Sequence, residues 1–231
     1  MTEQRTTVDV QNIDFDAVYR GESPIPGMAL DRVPWDLRHA QAGVVDFDRR
    51  GRFGGQVLDA GCGLGDNAIH LARQGHRVTG LDAAPTAIRL ARARAADQGV
   101  DVDFEVADLT DLSAYVGRFD SVLDSLTYHS MPLGPATLYM AALHRATKPG
   151  ARLSMICIPD SVPAGTPIPF PVSKQSLGTA FGAGWKITSI REGTTAAVMT
   201  EAVLERIGAP YRPDDDGSIH MPAWLVEADR V

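Results

Sequence analysis

The chain opens without a regular hydrophobic pattern. Apolar residues are scattered through 1–34, and Ser23-Pro24-Ile25-Pro26-Gly27, followed by Pro34, breaks any periodicity begun there. This stretch reads as an appendage to a core. Residues 36–50 (DLRHAQAGVVDFDRR) carry a helical pattern that Gly51 ends. From residue 56 the text becomes regular. Val57-Leu58 predict a short apolar strand ending at Asp59. Ala68, Ile69, Leu71 and Ala72 then recur at helical spacing over 66–74, and Gly75 stops the run. A strand over 76–81 ends at Asp82. An Ala- and Arg-rich helix follows over 85–98, with Pro85 in its first turn. Residues 102–106 form the third strand, followed by Ala107-Asp108. The fourth lies within 118–126 and closes near Asp124. A helix over 135–147 stops at Lys148-Pro149-Gly150, and 151–158 is the fifth strand.

Strands and helices alternating at these lengths predict an α/β chain: a mostly parallel sheet with helices on both faces. The tail differs. Pro159, Pro163, Pro167, Pro169 and Pro171 make 159–172 a loop. A helix over 173–181, a strand over 185–191, a helix over 196–207 and a last strand over 222–229 follow. The two late strands can pair antiparallel at the sheet edge. The division expected is an N-terminal arm or lid over 1–50 and a ligand-binding domain over 51–231.

Composition narrows the function. With 231 residues and 44% hydrophobic content, one sizeable core is available. The net charge of −7 argues against a general nucleic-acid binder. Two cysteines, Cys62 and Cys157, are too few for a disulfide framework. The N-terminus has no apolar core of signal-peptide type, and no run approaches the ~20 apolar residues of a membrane span. The expectation is a soluble, cytoplasmic protein without a nucleic-acid or membrane partner, and a homodimer is an option.

The chemistry starts at VLDAGCGLGDN (57–67). Glycine at 61, 63 and 65 lets backbone N–H groups approach a ligand without intervening side chains. A dinucleotide prefers G-x-G-x-x-G, with its pyrophosphate on the helix N-terminus. Here the spacing is G-x-G-x-G, with Asp59 before it and Asp66 directly after. Two carboxylates there repel a pyrophosphate and suit a ligand with a cationic group, such as S-adenosylmethionine. Asp82 is placed to accept ribose hydroxyls. Asp108 is placed to meet an adenine amino group, and Asp124 ends its strand beside the reacting centre. Each of these acids also reads as an ordinary helix cap or strand-end acid on its own; their order is what carries the argument.

VLDAGCGLGDNAIHLA, VTGLD, FEVADLTDL, FDSVLDS and LHRATKPGARL resemble the successive motifs of class I S-adenosylmethionine-dependent methyltransferases, over roughly 55–158. The resemblance implies a Rossmann-like seven-stranded sheet of order 3-2-1-4-5-7-6 with the seventh strand antiparallel. It also implies that Asp59, Gly61, Gly63 and Gly65 flank the methionine moiety, Asp82 the ribose, and Asp108 with Leu109 the adenine. FDAVYRGE (15–22), VPW (33–35) and YHSMP (128–132) are similar to actinobacterial small-molecule methyltransferases. Those act on phenolic, quinone or heterocyclic hydroxyls, and a related group methylates mannose polysaccharides.

A hydroxyl acceptor benefits from a base. His129, after the fourth strand, is the first candidate, although it equally suits a structural histidine. His220 is second, and His144 third with a leaning to structure. His39, His70 and His76 read as surface or packing residues. Tyr19 and Trp35 are candidates for covering the cofactor. A magnesium ion held by Asp124, His129, His144 and His220 is a minority option. The proline-rich, polar acceptor segments favour a sugar or methylated mannoside, in polysaccharide biosynthesis, over a flat aromatic acceptor.

Overall fold

The computed structural model describes residues 9–231. Residues 1–8 of the expected arm lie outside the described residues. The seven strands are β1 (Gln56–Ala60), β2 (Arg77–Asp82), β3 (Asp103–Val106), β4 (Phe119–Ser125), β5 (Thr147–Cys157), β6 (Trp185–Val198) and β7 (Ser218–Arg230). They form one sheet of order β3-β2-β1-β4-β5-β7-β6. The first five run parallel, and β7 is antiparallel to both β5 and β6. The sheet expected from the resemblance is therefore present.

The central strands are covered on both faces, which explains their near-continuous apolar text. Leu58, Val122, Leu123, Leu153 and Met155 have no exposed surface. One core cluster joins the sheet to α5 (Leu133–Ala146) and α6 (Lys174–Phe181), through Tyr139, Met140, Leu143 and Leu177. A second joins it to α2 (Ala42–Arg49), α3 (Asp66–Arg73) and α4 (Pro85–Asp97), through Val44, Phe47, Ile69 and Ile88. Val44 and Phe47 are fully buried there, so α2 is core although it precedes the boundary expected at residue 50.

Several elements depart from the sequence pattern: β5 begins at Thr147 rather than 151, β6 runs to Val198 rather than 191, and β7 begins at Ser218 rather than 222. The helix expected over 196–207 is α7 (Glu201–Ile207), capped by the Thr200 side chain, which accepts from Val203 N at 3.3 Å. Ala196, Ala197 and Val198 instead extend β6 opposite His220, Ile219 and Ser218. Small apolar residues match both periods, and cross-strand pairing decides. The helix expected from residue 36 begins at Ala42, because 36–41 are irregular and bend at Arg38, which has φ 63°. A one-turn helix, α1 (Phe15–Tyr19), stands in the arm, where Asp14 caps it by accepting from Ala17 N at 2.9 Å. Five residues are too few to register as a period.

Candidate active site

In a sheet of this kind the strand order reverses between β1 and β4, and a crevice opens beyond their carboxyl ends. The glycine turn enters it from β1. Gly61 has φ 76°, and a Cβ there would fall inside the Thr127 side chain, which packs from the end of β4. Thr127 Oγ1 donates to Ala60 O at 2.9 Å and fixes this contact. Gly63 has φ 52°, and a Cβ there would stand 2.8 Å from the Tyr19 hydroxyl. Gly65 differs: its open side faces the Phe104 ring, so it serves packing, and it is not part of the cavity wall.

A cavity of about 650 Å³ runs from this turn across the sheet end. That is within the ~300–1,000 Å³ usual for small-molecule sites. The arm forms its roof. Trp35 Nε1 donates to the Tyr19 hydroxyl at 2.7 Å, and the Trp35 ring packs between Phe15 (5.6 Å) and Tyr19 (5.9 Å). Asp16 Oδ1 accepts from Thr86 N at 2.8 Å and so caps α4, whose own cap residue, Ala84, has no side chain for it. Arg94 of α4 reaches Asp36 at 2.9 Å and also Asp66. Pro34 O accepts from Val198 N at 2.6 Å, and Gln41 exchanges two hydrogen bonds with the backbone of Ala196.

The carboxylates lie at different depths. Asp82 lines the cavity, with Oδ2 accepting from Gly63 N (2.8 Å) and Oδ1 from Ala84 N (2.9 Å); burial still holds its pKa above the usual range. Asp59 is fully buried behind the turn, and neither oxygen has a partner of normal geometry. Burial first, then the Asp124 and Asp82 charges, push its pKa to about 8, and the Ala68 N–H offsets only part of this. Asp124 is also fully buried and accepts from Tyr139 Oη (2.8 Å), Thr127 N (3.0 Å) and Tyr128 N (3.3 Å). Burial raises it to about 7. Asp124 therefore shapes the turn after β4 rather than lining the cavity. Leu109 lines the cavity, whereas Asp108 is exposed and its carboxylate caps Thr110 (N at 2.8 Å, Oγ1 at 2.7 Å).

Of the three candidate bases the cavity receives one. His129 follows β4, is 8% exposed, and lines the wall. Its carbonyl accepts from Phe170 N at 3.0 Å, which ties it to the proline-rich loop. Its Nδ1 is buried without a partner, and burial lowers the imidazole pKa to about 4. It is therefore neutral at pH 7. His220 does not line the cavity. It alternates with Ile219 and Met221 on β7, points to solvent and faces Asp214 at 3.3 Å. His144 is structural too. It accepts from Arg230 Nε at 3.2 Å and meets the Trp185 ring edge-on. With these two outside, the magnesium set Asp124, His129, His144 and His220 does not assemble. Among the described residues no three metal-binding side chains gather.

A model of the family described as "Methyltransferase domain" matches residues 57–150. The 2-heptyl-1-hydroxyquinolin-4(1H)-one methyltransferase of Mycobacteroides abscessus is 35% identical over 221 residues, which is 94% of this chain and 96% of that protein. This chain belongs to the class I S-adenosylmethionine-dependent methyltransferases. The ubiquinone biosynthesis O-methyltransferase of Xylella fastidiosa is 39% identical over 101 residues, 43% of this methyltransferase and 40% of that one. A solved structure from work on the conversion of a disulfide bond into a thioacetal group in echinomycin biosynthesis superposes with a TM-score of 0.78. It has 36% identity and covers 94% of this chain and 90% of its own.

The residues present in the methyltransferase fit its cofactor. Asp82 brings a carboxylate to the cavity wall with backbone N–H partners and, among the described residues, no cation beside it, so an ammonium or sulfonium is stabilised there and a phosphate is not; such a cation would also favour ionisation of the buried Asp59 carboxyl behind the turn. Gly61, Gly63, Asp82 and Leu109 are placed to hold it, with Tyr19 and Trp35 above. Sequence reasoning missed four residues: Thr127, which fills the Gly61 notch; Tyr139, which satisfies Asp124; Leu126; and His39. Leu126 lines the cavity with φ 73°, an uncommon conformation for a branched side chain. His39, read as a surface residue, also reaches the cavity wall. Hydroxyl and β-branched signals of this kind carry meaning only once β1 and β4 are adjacent.

Proposed function

We propose that this methyltransferase O-methylates an acidic hydroxyl on a flat aromatic, quinone-derived or heteroaromatic small molecule, with His129 as the base. The observation that carries the reading is the buried His129, which lines the same cavity as the glycine turn with its Nδ1 unpartnered, and whose burial keeps the imidazole neutral. S-adenosylmethionine, when bound, supplies an electrophilic methyl group on sulfur. The chain's own residues do the rest. The arm and the glycine turn fix the donor end, and the apolar wall excludes water from the transfer point. The His129 imidazole takes the hydroxyl proton as the acceptor oxygen gains the methyl.

The acidity of the acceptor decides between the two expected classes. A base with a pKa of about 4 is mismatched to any hydroxyl. It is mismatched by about 5 pH units less for a phenol (pKa ~10) than for a sugar hydroxyl, whose acidity approaches that of water (~15). That difference is worth about 7 kcal/mol in proton transfer. The lining contributed by the proline-rich loop, α7 and β7 is mostly aliphatic, which suits a flat ring better than a sugar. The mannoside expectation is set aside for both reasons, and the names of the Mycobacteroides and Xylella relatives favour the same choice.

The test is product formation from labelled S-adenosylmethionine with a 1-hydroxyquinolin-4-one, a catechol, a hydroquinone and a methyl mannoside. Methylation of the ring hydroxyls supports the reading, and methylation of the mannoside alone overturns it. His129→Gln lowers kcat by about 100-fold or more with cofactor affinity unchanged. An unchanged kcat removes His129 as the base.

A further inference from the structure

The cavity lining continues from the glycine turn onto the proline-rich loop, α7 and the far ends of β6 and β7. Pairing of β5 with β7 stops at Cys157↔Trp224. Pairing of β6 with β7 continues through six more pairs, Gly193↔Ala223 to Val198↔Ser218. At about 3.4 Å per residue, this two-stranded ribbon projects roughly 20 Å past the sheet, on the ligand side. The α7 helix and the proline-rich loop lean against it and close an annex behind His129.

The annex wall is aliphatic. Ile158, Ile168, Met199, Val203, Ile219 and Met221 supply it, from five separate segments. Ile158, Ile219 and Met221 are buried, and around them Ile168 and Met199 are only partly covered by protein. The charged side chains of the cavity wall, Asp14, Asp16, Asp66 and Asp82, all lie on the arm, at the glycine turn or at the end of β2. The one phenol in the annex, Tyr211, already has its hydroxyl against Thr166 Oγ1 at 2.9 Å. A polar or charged substituent placed there would lose its hydration without gaining a partner. Met199 and Met221 give the wall two unbranched, adaptable side chains.

We infer that the annex holds an alkyl chain of several carbons carried by the acceptor ring, and that it sets chain-length specificity. The inference rests on the proposed transfer reading only for which end of the acceptor faces His129. The chain runs along the ribbon between Ile219 and Met221 on one side and Met199 and Val203 on the other. The ring stays at the mouth beside the glycine turn.

Calorimetry with phenol, 4-propylphenol and 4-heptylphenol, in the presence of S-adenosylhomocysteine, tests this without requiring methyl transfer. Burial of each methylene is expected to tighten binding by about fourfold over the first carbons. Met199→Trp and Val203→Phe fill the annex from two different elements. Either substitution should flatten the series while the affinity for S-adenosylmethionine stays within twofold of the parent. Two variants guard against one failing to fold. A flat series in the parent, with phenols still methylated, overturns the annex and leaves the transfer reading intact. A steep series with no phenol methylated supports the annex and overturns the transfer reading. A steep series that neither filled variant changes also overturns the annex.

Discussion

Replacing Asp59 by Asn should make the protein more stable at alkaline pH, although Asp59 belongs to the glycine-turn motif. The carboxyl has no exposed surface and no hydrogen-bond partner of normal geometry, and Asp124 and Asp82 face it. Its folded pKa of about 8 stands above the unfolded value of 3.8. The folded chain therefore keeps a proton that the unfolded chain has lost. Stability from this group is intact below about pH 4 and falls as pH rises through 8. A displacement of about 4 pH units, at about 1.36 kcal/mol each, is worth on the order of 5 kcal/mol. Against a typical domain stability of about 5–15 kcal/mol this is a large share. Asn keeps the shape and never ionises. Urea unfolding at pH 5 and pH 9 measures the effect. The variant should exceed the parent by only about 1–2 kcal/mol at pH 5, little more than one pH unit above the unfolded pKa, and by several kcal/mol at pH 9. The cofactor, being cationic, should restore more stability to the parent than to the variant at pH 9. A variant less stable than the parent at both pH values, or a parent whose stability is flat between pH 5 and 8, refutes the reasoning.

If His129 is the base, the acidic limb of the kcat/KM profile should lie near pH 4, where burial places its pKa, and a limb near 6.5 would point to an exposed histidine instead. Gly61→Ala combines a φ of 76° with a steric collision at Thr127, so thermal unfolding should show a loss of about 2–4 kcal/mol, and a loss below 1 kcal/mol would mean the turn is free to move. Asp16→Ala removes the side chain that caps Thr86 N, and should lower the thermal midpoint and weaken cofactor binding in calorimetry, because the arm is pinned there. Initial rates in excess chelator should equal those without it, since His144 and His220 lie outside the cavity; a loss restored by magnesium would revive the metal reading.

The chain's text revealed the sheet because its strands are buried on both faces and its turns are marked by glycine and aspartate at fixed offsets. β1, β2 and β4 each carry an acid at their last or next-to-last residue, and of these Asp82 lines the cavity. The text was less informative wherever one residue type serves two ends. Position alone ranks His129, His220 and His144 in that order, and nothing in the sequence excludes the last two from the cavity. Only the alternation of β7 and the packing of α5 against Arg230 separate them. The same is true of Asp108, whose carboxylate is taken by its own turn. The acceptor segments are rich in polar residues as well as prolines and modest in aromatics, so in sequence they suggest a polar wall. Its apolar lining comes from Ile158, Met199, Val203, Ile219 and Met221, which stand far apart in sequence and meet only when the β6–β7 ribbon is built.

The contacts of Pro34 and Gln41 with β6 bear on how this molecule keeps itself from self-association. β6 is the outermost strand, and its last residues run past the neighbouring layers. Unpaired amides and carbonyls along such a border invite strands from other copies. Gln41 occupies both backbone groups of Ala196, and Pro34 takes the amide of Val198 while having no N–H of its own to offer. The segment over the cofactor site is thus also a fender on the sheet border. A shortened chain that begins at residue 42 should be judged first by light scattering, because growth of large particles, rather than a freely accessible site, is its expected fate.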